Sequence, residues 1–200
     1  MDIDHEYEVI KAFFSRGATW VAAESADVGA RLSSSQTRSD EFVEELLFHP
    51  DGPGSLEEIL CRATLNELNT LIEAALQDAL TEISGGLFLD GKGLVVGAPR
   101  GDLEKALAQY GVQVTALSEH ASVRQIKELA EGFKHRQGLR PLPKWNSEQK
   151  TLKYQPSLVA GYEHEAIHGY DVRIDNVRGY LQSAKSFLDE LRKYSRKDTF

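Results

Sequence analysis

Cysteine is almost absent from this 200-residue chain, which contains only Cys61. A single cysteine excludes an internal disulfide, and with it the small folds that disulfides hold together. Long apolar runs are also missing, since no stretch approaches the roughly 20 residues of a membrane-spanning helix. The opening MDIDHEYEV is acidic, whereas a secretory signal starts with basic residues followed by an apolar block. These absences predict a cytoplasmic protein with a reduced thiol and no membrane partner.

Basic residues are scarce in the first part of the chain. Residues 1–120 hold 8 Lys or Arg and 21 Asp or Glu, whereas residues 121–200 hold 15 and 10, within a net charge of −8. A basic C-terminal part can attract an anion such as RNA. Alternatively, the two halves attract each other within the fold or across a dimer. The length and the ordinary proportion of apolar residues fit one globular domain over residues 1–200.

Most of the sequence carries apolar residues at the spacing that is typical of helices. The opening segment is predicted to be an amphipathic helix, in which Val9, Phe13, Trp20, Val21 and Val28 recur near helical spacing. The strongest pattern covers about 56–83, where a sustained apolar face follows a capping box that begins at residue 55. Shorter helices are predicted at about 41–48, 103–111, 119–137 and 176–194.

Three segments break the helical pattern. The apolar triplets of 86–97 flank the turn sequence DGKG and predict a small β-hairpin. Residues 139–171 contain three prolines and are predicted to form a long irregular loop, and residues 195–200 a frayed tail. The predicted fold is therefore mainly all-α: a bundle of four to five main helices with a small β-hairpin insertion.

Residues 164–168 read HEAIH, the H-E-x-x-H pattern of zinc metalloproteases. On a helix, His164 and His168 would share one face and bind one zinc ion, while Glu165 polarises the bound water. A carboxylate of the last helix, Asp189 or Glu190, could supply a third ligand. Proline and glycine residues around the motif disfavour such a helix. A zinc hydrolase is thus an alternative, and the main expectation includes no metal or other cofactor.

A basic cluster gives the leading site. Lys134, His135 and Arg136 lie together at the end of a predicted amphipathic helix, where cations also interact favourably with the helix carbonyls. Between residues 134 and 153 six cations accompany a single acid, and aromatic residues that can stack on bases lie among and just after them. The remaining residues of this candidate RNA-binding stretch are Arg140, Lys144, Trp145, Lys150, Lys153 and Tyr154. If RNA is cleaved, His135 is the expected general acid or base, with Lys134 and Arg136 as its catalytic neighbours.

The order of helices, with segments 65–80, 123–139 and 170–191, resembles that of HEPN (higher eukaryotes and prokaryotes nucleotide-binding) domains. The segment EGFKH, residues 131–135, is similar to an Asn-x-x-Lys-His-type motif of that family, with Glu131 in place of the Asn. The resemblance covers about residues 55–195. It implies a dimeric protein of a bacterial defence or toxin–antitoxin type that binds or cleaves RNA, with a cognate antitoxin as a possible protein partner.

The Arg-x(4–6)-His motif of the RNase members of that family is missing, because no arginine lies five to seven residues before any of the six histidines. A non-enzymatic protein-interaction module is therefore a further alternative, in which the acidic N-terminal part binds a basic partner.

Overall fold

Five α-helices account for most of the described part of the chain. The computed structural model describes residues 2–34, 56–85, 98–136 and 172–195, with the backbone alone at 29, 31–34, 133–136 and 195. The helices are α1 (Ile3–Ser34), α2 (Leu56–Ser84), α3 (Arg100–Gln109), α4 (His120–Arg136) and α5 (Ile174–Ser195), with a short 3₁₀ turn at Val114–Ala116 before α4. The described ranges contain no β-strand.

Helix α2 is the central strut of this bundle, because it packs against each of the other four helices. Its first turn carries Glu57 and Glu58, whose negative charges are favourable at the amino end of a helix. Twelve of its residues are buried, on more than one face, which is typical of a helix surrounded by neighbours. They are Leu60, Cys61, Thr64, Leu65, Leu68, Asn69, Leu71, Ile72, Ala75, Leu76, Ala79 and Leu80.

Helices α1 and α5 lie along α2 from the two ends of the chain. The Tyr7 hydroxyl of α1 donates a hydrogen bond to the Leu181 carbonyl of α5 over 3.0 Å. At the amino end of α5, the Ile174 amide donates to the Glu57 carboxylate of α2 over 3.1 Å, which satisfies one of the free amides of the first turn of α5. Gly17 lets α1 approach α2 closely, since a Cβ there would lie only 2.5 Å from Leu60 Cδ1. These contacts join three sequence-distant helices around one apolar core.

Helix α3 ends in a Schellman motif that turns the chain toward α4. Gly111 has a φ of +85°, a left-handed conformation that glycine adopts without steric cost. The Val112 amide then donates to the Leu107 carbonyl, and the Gly111 amide donates to the Ala108 carbonyl, both over 3.0 Å. This turn allows Leu103 and Leu107 of α3 to enter the core.

The all-α class is confirmed, and the long helix predicted at 56–83 is found at Leu56–Ser84. The predicted hairpin at 86–97, the short helix at 41–48, the loop at 139–171 and the tail beyond residue 195 lie outside the described residues.

The apolar residues of α1 fall on two faces of the helix. Val9, Phe13 and Trp20 are exposed, whereas Val21 and Val28 are buried. The buried face of α1 consists of Tyr7, Ile10, Phe14, Ala18, Val21 and Val28.

None of the described helices is long and apolar enough to cross a membrane.

Candidate functional site: an exposed apolar face on α1 and α2

Four large apolar side chains are exposed on one side of the bundle. Val9, Phe13 and Trp20 of α1 retain 48%, 51% and 51% of their accessible surface, and Ile59 of α2 retains 41%. The three residues of α1 are spaced by four and seven positions, so they form one stripe along the helix. Single exposed apolar residues are ordinary, but a contiguous stripe of this kind marks interaction surfaces.

A groove runs beside this stripe, between α1 and α2. Its volume is about 460 Å³. On the α2 side, small residues at Ala63, Thr70 and Ala74 leave space that longer side chains would fill. Its lining residues are Glu6, Val9, Ile10, Phe13, Ala63, Glu67, Thr70, Leu71 and Ala74. We call this groove, together with the exposed stripe of α1 and Ile59, the α1–α2 face.

Charged residues flank the Val9 and Phe13 part of the apolar stripe on both sides along α1. Glu6 lies on the side of the N-terminus and shares the groove with Val9 and Phe13. Arg16 lies further along α1, in a shallow depression that it shares with Phe13 and Trp20. Neither Glu6 nor Arg16 belongs to an ion pair among the described residues, whereas Trp20 Nε1 donates to Glu24 Oε1 over 3.2 Å. An apolar centre with a polar rim is the usual anatomy of a protein interface.

The basic cluster predicted from the sequence lies at the carboxyl end of α4. The backbone of Lys134, His135 and Arg136 completes the last helical turn, and the side chains of these three residues lie outside the description. The remaining residues of the predicted RNA-binding stretch also lie outside the described residues: Arg140, Lys144, Trp145, Lys150, Lys153 and Tyr154.

The zinc alternative falls largely outside the described residues as well, because His164, Glu165 and His168 belong to the segment 137–171. The two carboxylates that could complete such a site are described, and both have partners. Asp189 pairs with Lys185 over 2.5 Å. Glu190 accepts hydrogen bonds from the amide and the hydroxyl of Ser118, which hold the pKa of its carboxyl below the usual value. No group of three potential metal-ligating side chains occurs within the described ranges.

Cys61 is a packing residue of α2. It has no accessible surface, and burial, reinforced by the nearby Glu57 and Glu58 carboxylates, raises the pKa of its thiol to about 12. The thiolate is the reactive form of cysteine, so a thiol with this pKa is a poor nucleophile at neutral pH. Cys61 therefore belongs to the apolar core of the bundle.

An acidic cavity of about 230 Å³ lies where the start of α1 meets the ends of α2 and α5. Asp4 is held there by Arg192, at 2.6 Å, and by Lys185, at 3.3 Å. The Arg192 guanidinium first, and the Lys185 ammonium after it, lower the pKa of the Asp4 carboxyl. Because these cations already neutralise the carboxylate, we assign this cluster to the stability of the bundle.

The spacing in α1 predicted a helix but did not show which of its apolar residues are exposed, so sequence reasoning missed the α1–α2 face. A signal was present: Tyr7, Ile10, Phe14 and Val21 form a second apolar stripe at helical spacing, so α1 carries more apolar surface than one core face requires. When one of two such stripes packs against the core, the other can contact a partner.

Comparison with protein-family models, with curated proteins and with solved structures found no match.

Proposed function

We propose that this chain is a helical protein-interaction module that binds its partner through the α1–α2 face. The observation that carries the proposal is the exposure of Val9, Phe13 and Trp20 in one stripe beside a groove of about 460 Å³. Aromatic residues are enriched at the energetic centres of protein interfaces. Leaving about half of two aromatic rings in water has a free-energy cost that a partner would recover.

Site-specific photo-crosslinking in cells tests this proposal. A photoreactive phenylalanine analogue at position 13 should form covalent adducts with a protein partner. The same analogue at Ser15, which is also exposed on α1 but lies outside the stripe, is the matched control. Adducts that require position 13 and disappear in a Val9→Glu background support the proposal, and the adduct mass identifies the partner. Equal labelling at 13 and 15, or no adduct at 13, would reject it.

We propose RNA binding at the basic end of α4 as a second candidate function, in line with the HEPN-like interpretation. What supports it is that α4 continues to Arg136, so that the cations of its last turn lead directly into the cation-rich stretch that follows. On this proposal the protein is of a bacterial defence or toxin–antitoxin type, with RNA as its ligand.

The salt dependence of single-stranded RNA binding tests the second candidate, because each phosphate neutralised by a cation releases counterions. Reversing Lys134, Arg136 and Arg140 to Glu together should abolish salt-sensitive binding. Reversing three exposed cations elsewhere makes the same change in net charge and should leave most binding intact; the control residues are Lys11, Lys105 and Arg178. Equal losses in both triple variants, or no salt-sensitive binding by the parent, would reject this candidate.

His135→Ala separates RNA binding from RNA cleavage. A group that transfers a proton contributes roughly 10² to 10⁴ in rate and little to ground-state affinity. The variant should therefore lose cleavage, if the parent cleaves, and keep its affinity for RNA.

A further inference from the structure

We infer that the partner of the α1–α2 face is a second copy of this chain, with the two α1 helices antiparallel across a two-fold axis at the level of residue 11. This inference rests on the proposed function, since it names the partner of the same face. Two independent features of α1, one apolar and one charged, are symmetric about that position.

The apolar feature is the pair Val9 and Phe13, which lie two residues on either side of position 11. An antiparallel arrangement about this level places Val9 of one copy opposite Phe13 of the other. It also places Phe13 of the first copy opposite Val9 of the second. Each Phe13 ring then reaches the groove of the other copy, where the small side chains of Ala63, Thr70 and Ala74 leave room. The contact is thus self-complementary, as a two-fold interface requires.

The charged feature is the pair Glu6 and Arg16, which lie five residues on either side of the same position. The axis that pairs Val9 with Phe13 therefore also places Glu6 of each copy opposite Arg16 of the other. Ten residues of helix separate Glu6 from Arg16 along one chain, roughly 15 Å, so the two cannot pair within a copy. Two ion pairs related by symmetry would then close the rim of the apolar contact. A parallel arrangement would instead bring like charges together, which is unfavourable.

The exposed apolar side chains supply part of the area that a dimer buries. An aromatic side chain buries roughly 150–250 Å² when it is covered, so the exposed halves of Phe13 and Trp20 offer on the order of 100 Å² each. Val9, Ile59 and the groove lining add to this on both copies. A stable interface covers about 800 Å² per partner, of which the fully buried centre is only a part.

Lys11 and Ser15 are exposed residues of α1 that lie outside the proposed interface. Lys11 pairs with Glu8 on a different side of α1, away from the groove. Neither Lys11 nor Ser15 lines the groove or the depression around Trp20. Substitutions at Ser15 therefore leave the proposed interface intact and serve as controls.

Sedimentation velocity of the full chain over a range of concentrations tests the inference. The parent should be dimeric at concentrations on the order of 100 µM, where a micromolar dimer is nearly complete. Phe13→Glu should make it monomeric with an unchanged helical circular dichroism spectrum, because the replaced side chain is half exposed in one copy. Ser15→Glu should remain dimeric.

A charge exchange distinguishes a second copy from any other partner. Glu6→Arg and Arg16→Glu should each raise the dissociation constant about tenfold, because each variant faces like charges twice across the axis. The double variant, with both charges exchanged, should restore the parent affinity. This rescue requires that residues 6 and 16 of different copies meet.

A parent that stays monomeric at these concentrations overturns the inference. A dimer that survives Phe13→Glu, or a double variant no tighter than the single ones, also overturns it. If the parent is monomeric but position 13 crosslinks to a different protein, the inference fails and the interaction module stands. If neither a dimer nor a specific adduct forms, both fail.

Discussion

Arg100 is a charged residue with almost no accessible surface, at the first position of α3. Its Nε donates to Glu104 Oε1 over 2.8 Å, and one terminal nitrogen donates to the Val123 carbonyl of α4 over 3.1 Å. The other terminal nitrogen is buried and has no hydrogen-bond partner among the described residues. Burying a guanidinium is costly, and the bonds to Glu104 and Val123 offset much of that cost while joining α3 to α4.

Arg100→Met should therefore lower the free energy of unfolding by about 2 kcal/mol, because Glu104 and the Val123 carbonyl lose a charged donor. Urea unfolding followed by circular dichroism measures this change. Lys105→Met is the control on the same helix. Its ion pair with Asp102 is exposed, so the loss should stay below about 0.5 kcal/mol. Similar losses in the two variants would show that the buried guanidinium has no special role.

Among the elements, α2 has the clearest prediction, because Leu68 and Leu76 have no accessible surface. Leu68→Asp or Leu76→Asp places a carboxylate without a partner in the core, at a cost of several kcal/mol, and should abolish cooperative unfolding. Thr70→Asp introduces the same residue at an exposed position of α2 and should retain a cooperative transition. Thermal melting compares the cooperativity of unfolding in the three variants. A parent-like melt in both leucine variants would mean that α2 is not central.

Gly17 of α1 and Gly179 of α5 give opposite predictions for the same substitution. A Cβ at residue 179 would meet no atom of the described residues within 4 Å, so Gly179→Ala should stabilise α5 by about 0.5–1 kcal/mol through helix propensity. Gly17→Ala brings a methyl group to 2.5 Å from Leu60 Cδ1. Overpacking of this kind costs typically 1–3 kcal/mol, which exceeds the gain in propensity, so this variant should be less stable than the parent. Equal stabilisation by both substitutions, measured in urea, would show that α1 and α2 can move apart freely.

Helix α2 was predictable from sequence and the exposed side of α1 was not, for a physical reason. The apolar positions of α2 repeat over its whole length, so any arrangement of neighbours leaves it a buried helix. In α1, periodicity alone shows two apolar stripes, one containing Phe14 and one containing Phe13. Which stripe is covered depends on where Leu60 and Leu181 lie, and that is decided by tertiary packing.

At the scale of the whole molecule, the acidic and basic parts of the chain meet within the fold. Asp4 near the start of α1 pairs with Lys185 and Arg192 of α5, which lie more than 180 positions away in the sequence. Some charges of the acidic and basic parts therefore pair with each other within the fold. This attraction between the two parts was one of the two sequence-based interpretations of the charge asymmetry.

This pairing also predicts how stability depends on pH. The pKa of Asp4 is lower in the folded protein than its usual value of 3.8, so the unfolded chain binds a proton first as the pH falls. The stabilisation by Asp4 is then complete above pH 3.8 and is lost as the pH falls through the lowered pKa of the folded state. Asp4→Asn should be less stable than the parent at neutral pH, and the two should converge in acid. Because the carboxylate is half exposed, added salt should also shrink the difference at neutral pH. Urea unfolding of both proteins across this pH range measures the effect, and a difference that stays constant into acid would show that Asp4 does not stabilise the fold through its charge.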